Sequence, residues 1–101
     1  MQRGKDMTLN ELAEEMFQHF ENELSLTDYQ CDDEDPSFVA ITLYSDEYVD
    51  EEESVMCRPI ESWLAKQDLT LYDEYDERDI DYILSSVQFD GDSYSIFLRE
   101  R

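Results

Sequence analysis

From Asp6 to Cys57 the chain carries 17 acidic residues and not one Lys or Arg. Half of any fold it adopts must therefore form without internal counter-charge. Unpaired carboxylates are too costly to bury, so all of these groups must face water. The apolar residues between them then decide where each element lies. Over the whole chain of 101 residues, 28 Asp and Glu stand against seven Lys and Arg, for a formal net charge of -21. Such a charge leans toward disorder. Against it, 41% of residues are hydrophobic and 13% aromatic, and only two Gly and two Pro interrupt the chain. The chain is expected to fold under strong self-repulsion, and its melting temperature to rise from low to moderate salt.

The length fits one domain, read as a single acidic α+β domain over residues 7–101 after a mobile lead-in of residues 1–6. No apolar run approaches the roughly 20 residues of a membrane-spanning helix. No basic stretch followed by an apolar one opens the chain, so the expected compartment is the cytoplasm of a bacterial host. Direct binding to nucleic acid or to an anionic membrane is excluded, because both require a positive surface. The charge points instead to a basic partner.

Chemistry is argued mainly by exclusion. There is no phosphate-binding glycine loop, no G-x-G-x-x-G, no G-x-S-x-G and no H-E-x-x-H. Cys31, Cys57 and His19 supply at most three of the four nitrogen or sulfur ligands of a structural zinc site. Both cysteines are expected reduced, and His19, inside a helical pattern, is expected to pack. The acidic runs lack the ligand spacing and the sixth-position Gly of a calcium loop. Neither catalysis, a metal nor a cofactor is expected.

Along the chain, Thr8-Leu9-Asn10-Glu11 matches a capping box. Leu9, Leu12, Ala13, Met16, Phe17, Phe20 and Leu24 follow helical spacing, predicting a helix over 8–24. A polar link over 25–35 precedes Pro36. Residues 38–44 read as a strand with Val39, Ile41 and Leu43 on one face. Residues 46–53 form a loop or hairpin tip. Ser54-Val55-Met56-Cys57 reads as a second strand, and Pro59 opens a short helix with Ile60, Trp63 and Leu64 inward. Residues 69–82 are ambiguous. Leu69 and Leu71 fit a short strand, while Ile80, Ile83, Leu84 and Val87 fit a helical stripe capped by Asp76. The favoured reading is a helical turn over 77–82 running into a strand. Val87–Phe89, Asp90-Gly91-Asp92 and Tyr94–Leu98 read as a hairpin, with Tyr94, Ile96 and Leu98 on one face. The sum is an antiparallel sheet of about four strands, with an N-terminal helix and one or two short helices packed on one face.

Three acidic clusters stand out, at 32–35, 46–53 and 73–81, beside an acidic helical face holding Glu11, Glu14, Glu15, Glu21 and Glu23. Arg3, Lys5, Arg99 and Arg101 lie at the chain ends, which often meet in a domain, so the bases are expected at one small pole. Carboxylates held a few ångströms apart on a folded scaffold resemble the phosphates of a nucleic-acid strand. A groove lined with Lys and Arg reads mostly backbone charge, so it would accept either. The residues expected to contact such a groove are Asp46, Glu47, Asp50, Glu51, Glu52 and Glu53, then Asp73, Glu74, Asp76 and Glu77. Tyr48 and Tyr75 are the expected aromatic anchors, because Tyr gives large contact area and a face on which Arg stacks.

In size, charge and tyrosine content the whole chain resembles the DNA-mimic inhibitors of phages and mobile elements. These include uracil-DNA glycosylase inhibitors, anti-restriction proteins and anti-CRISPR proteins. The resemblance implies stoichiometric inhibition of a nucleic-acid-binding protein or complex, such as a CRISPR effector or restriction enzyme. It carries no motif and assigns no residue. The alternatives are an immunity or antitoxin protein that neutralises a basic nuclease toxin, and an acidic housekeeping or halophilic domain whose charge serves solvation. The oligomeric state is left open.

Overall fold

A computed structural model describes residues 7–101; the expected lead-in, with Arg3 and Lys5, lies outside them. The chain runs α1 (Leu9–Phe20), β1 (Leu26–Asp32), β2 (Phe38–Ser45), α2 (Glu53–Leu64), β3 (Thr70–Asp73), β4 (Arg78–Phe89) and β5 (Ser93–Glu100). The strands form one antiparallel sheet in the order β1-β2-β5-β4-β3. The fold is α+β with an N-terminal helix, and the sheet has five strands where about four were expected.

Both arms of the capping box are made. The Thr8 backbone N–H donates to the Glu11 carboxylate at 2.9 Å, and the Glu11 N–H donates to the Thr8 hydroxyl at 3.2 Å. Helix α1 stops at Phe20, one turn short of the predicted end, and Leu24 lies in the turn that follows. That turn closes at Ser25, held at φ 53°. The polar link is in fact the edge strand β1, paired with β2. Only its inward residues are apolar, which hid it. Ser54–Cys57 is helix rather than strand: α2 starts at Glu53, so Pro59 sits inside it. An interior proline removes a helix hydrogen bond and costs about 3 kcal/mol. Burial of Cys57, Ile60 and Leu64 from the same helix offsets that cost. The predicted helical turn at 77–82 is the first half of β4.

Strands β2 and β5 bury Val39, Ile41, Leu43, Tyr94, Ile96 and Leu98, as their alternation predicted. Both helices bury their apolar stripes in a single core with these residues. Helix α1 touches β1 and β3, the two edge strands. The sheet must curl for one helix to reach both edges, and it forms a curled half-barrel. Trp63 is half-buried against this core; its ring lies 6.1 Å from Phe20 and 5.6 Å from His19. His19 is exposed and packs edge-on against Phe20 at 4.7 Å.

Candidate functional site

An antiparallel sheet gathers its turns at two ends, here separated by strands of eight residues, or about 25 Å. One end, pole A, collects residues 21–28, 45–53 and 89–93. The other, pole B, collects residues 32–37, 73–81 and 99–101. The sheet therefore merges acidic clusters that are distant in sequence.

At pole A, the loop leaving β2 is tied to its neighbours by backbone bonds. The Ser45 N–H donates to the Asp92 carbonyl at 2.9 Å, Asp46 N–H to Ser25 at 3.3 Å, and Val49 N–H to Gly91 at 2.9 Å. The Ser25 hydroxyl donates to the Glu47 carboxylate. The Phe89 N–H donates to the Glu53 carboxylate at 3.0 Å. Glu47 and Glu53, both predicted contact residues, thus also fasten the loop. Asp46, Asp50, Glu51 and Glu52 have no such partner and point their charge to solvent. Glu51, Glu52 and Glu53 crowd the N-terminus of α2, whose positive dipole end partly offsets their mutual repulsion. Tyr48 is 75% exposed. Its ring lies over Gly91, which has φ +74° and no side chain to obstruct it. In all, the three segments of pole A hold eleven carboxylates and no Lys or Arg. Asp90 and Asp92, read only as turn residues, belong to this surface. Their part in it is visible once the β4–β5 turn is placed beside the 46–52 loop.

Pole B brings 73–77 beside the 32–35 cluster. An open hollow of about 450 Å³ between the two turns is lined by Asp33, Glu34, Pro36, Tyr75 and Asp76. Tyr75 is 78% exposed. Asp73 is a turn former: its carboxylate accepts from the Tyr75 and Asp76 N–H groups at 3.2 and 3.3 Å. Glu74 and Glu77 are exposed. Ser37 donates through its hydroxyl and its N–H to Asp35, which holds that carboxyl below its usual range. The eleven carboxylates of these segments are accompanied by Arg78, Arg99 and Arg101. Arg78 lies 3.7 Å from both Asp76 and Glu100, and Arg101 lies 3.1 Å from Asp81. The expected basic pole thus exists in part, within acidic surroundings.

The core beneath holds titratable groups in neutral form. Burial, then the Glu53 and Glu61 charges, pushes the Cys57 thiol up to about 11. Burial and Asp33 do the same to Cys31. Tyr82, whose hydroxyl donates to the Pro36 carbonyl, is pushed up to about 12 by burial and by Asp73 and Glu100. Such thiols are weak nucleophiles at neutral pH. Among the described residues no three His, Cys, Asp or Glu side chains gather as a metal cage, and no helix is long and apolar enough to cross a membrane. What the surface offers chemically is a fixed array of negative charge with an aromatic ring set in it. No protein-family model, curated protein or solved structure matches the chain.

Proposed function

We propose that the chain is a nucleic-acid-mimicking inhibitor. It seats pole A in the basic channel of a nucleic-acid-binding protein, in a bacterial defence complex such as a CRISPR effector or restriction enzyme, and blocks that channel by occupancy. The observation that carries this reading is the uncompensated charge of pole A: eleven carboxylates from three segments with no base among them. Backbone bonds fix the array before binding, which lowers the ordering cost on association. Tyr48, exposed at its centre, offers a face for a partner's Arg. The action is stoichiometric and needs neither catalysis nor cofactor.

The test is capture on the immobilised full chain from a bacterial lysate at moderate salt, with and without competitor DNA. The expected result is one nucleic-acid-processing complex, displaced by the DNA. A set of unrelated basic proteins that wash off together would mean the charge serves solvation only.

A further inference from the structure

The strand order leaves β1 with a neighbour on one side only. The opposite edge, β3, is four residues long and partly covered, since the Tyr72 N–H donates to the Met7 carbonyl at 2.9 Å. Strand β1 runs for seven residues, and the bonding pattern of β2 fixes what its free side presents. The Ser45 N–H donates to Asp92 and the Glu100 N–H to Ser37, so the odd-numbered residues of β2 face β5. The even-numbered Ala40, Thr42 and Tyr44 therefore bond β1, where they lie opposite Asp32, Gln30 and Asp28. Tyr29 and Cys31, between those positions, turn their backbone groups away from the sheet. The Tyr29 N–H is taken by the Asp28 carboxylate at 2.8 Å. The Tyr29 carbonyl and both backbone groups of Cys31 have no partner among the described residues. The side chains divide by face. Asp28, Gln30 and Asp32 are exposed, and neither aspartate has an ion pair among the described residues. Tyr29 and Cys31 point inward but stay half-buried, with the Tyr29 ring 5.4 Å from Phe17. The inward residues of β2, which has a strand on each side, are fully buried.

We infer that this edge takes up an extended, basic segment of a partner protein as a sixth strand. Unpaired backbone groups on an edge strand are a template for another strand, and the exposed side chains specify its sequence. Residues opposite Tyr29 and Cys31 exchange backbone bonds with the edge and turn apolar side chains toward Tyr29 and Phe17. Residues opposite Asp28 and Asp32, four apart, stand about 5 Å from those aspartates at Cβ, so they are Lys or Arg. A base there also draws the Asp28 carboxylate off the Tyr29 N–H and frees a fourth backbone group. Charge rules out a second copy as the occupant. Edge-to-edge pairing about Gln30, the register that uses every open group, lays Asp28 of each copy over Asp32 of the other, between molecules of charge -21. The edge can bind such a strand whether or not pole A enters a nucleic-acid channel.

The test is titration of the full chain at moderate salt with the capped peptide Thr-Lys-Val-Thr-Val-Lys-Thr, followed by amide NMR and hydrogen exchange. A dissociation constant of about 0.1–1 mM is expected for so short a strand. Near saturation the Cys31 N–H should gain about tenfold protection from exchange. Methylating the two valine nitrogens keeps the charge but removes the donors facing β1, and should weaken binding at least tenfold. The chain carrying Asp28→Lys and Asp32→Lys should lose the peptide and bind instead its counterpart with Glu at both Lys positions. Reversing Asp50, Glu51 and Glu52 of pole A should change binding by less than threefold, which separates this edge from the pole A reading. Equal binding of the methylated peptide would reduce the effect to charge attraction and overturn the proposal. So would shifts confined to residues outside β1. A chain that ignores the peptide but dimerises with its Cys31 N–H protected would make a second copy the occupant, and the proposal would fail.

Discussion

The two poles of the sheet hold the same number of carboxylates, eleven each, but resolve their repulsion differently. Pole B answers it internally. Arg78 and Arg101 reach three acids, and Asp73 and Asp35 spend their lone pairs on local N–H and hydroxyl donors. Pole A also has two carboxylates, Glu47 and Glu53, that accept from local donors, but it has no base, and beyond those bonds only the dipole of α2 offsets its charge. Exposed ion pairs contribute little to stability, so pole B is hardly firmer for them, but its outward field is reduced. Pole A keeps its field, and a field that is not neutralised within the molecule is available to a partner.

The comparison is broken most directly by charge reversal. Changing Asp50, Glu51 and Glu52 together to Lys should weaken target binding at least a hundredfold, as expected when several close charge pairs are lost. The matching change of Glu74, Asp76 and Glu77 should cost less than tenfold. Equal losses would mean that the poles act alike. The same variants separate binding from folding. At low salt the pole A reversal should raise the melting temperature above wild type, by relieving repulsion, and moderate salt should erase the difference. Thermal scans at two salt concentrations decide this, and a lower melting temperature at low salt would count against repulsion as the dominant local force.

Gly91→Ala sharpens the comparison at a single residue. An added methyl would overlap the Tyr48 ring, and φ +74° is unfavourable for any residue but glycine. The expected loss is about 1–2 kcal/mol, a fall in melting temperature of about 5–10 °C. Target binding should weaken too, because Tyr48 must move. Unchanged binding with lowered stability would remove Tyr48 from the contact surface.

Some of this was legible in the sequence and some was not, for identifiable reasons. The capping box at Thr8 and Glu11, the α1 stripe as far as Phe20 and the Tyr94–Leu98 alternation each have one dominant period, and each formed as read, while Leu24 fell in the turn beyond the helix. In β4 a bulge between Leu84 and Ser86 adds a residue, so the inward positions are Ile80, Tyr82, Leu84 and Val87. Their spacing of two, two and three imitates a helical repeat. Strand β1 escaped notice because an edge strand with Thr27, Asp28 and Gln30 outward has little apolar signal. In α2, Ser-Val-Met-Cys has strand-like propensity, and Pro59 read as a start because prolines usually open helices. The acidic residues proposed as contacts were chosen by composition alone. Their division into one compensated and one uncompensated pole depended on strand order, which no local pattern encodes.

Alkaline pH probes the core beneath both poles. Tyr82 ordinarily ionises near 10 and is pushed up to about 12; Cys31 and Cys57 move from near 9 to about 11. In each case the folded chain holds the neutral form more tightly. The stability this gives is complete below the ordinary value and is lost as pH rises through the raised one. The melting temperature should therefore hold to about pH 9 and fall between about 9 and 12. Tyr82→Phe should flatten the upper part of that fall and leave the lower part, which belongs to the thiols. It should also lower stability near neutral pH by about 1 kcal/mol, through loss of the bond to Pro36. A wild-type curve flat to pH 11 would mean that these groups titrate alike in folded and unfolded chains.

The smallest expected effect lies at pole B. Glu77 has φ 54°, a left-handed conformation that disfavours any residue with a side chain. Where pole A places a glycine in such a turn, pole B places a glutamate beside Asp76. Glu77→Gly relieves the backbone strain, of order 1 kcal/mol, and removes a repelling charge; the added freedom of the unfolded chain takes back part of the gain. A net rise of about 0.5 kcal/mol, or roughly 2–4 °C in melting temperature, is expected. Target binding should be unchanged. A gain in stability joined to a tenfold loss of binding would show that Glu77 is held in its strained turn for contact. Pole B would then share the interface, and the contrast between compensated and uncompensated charge would no longer locate it.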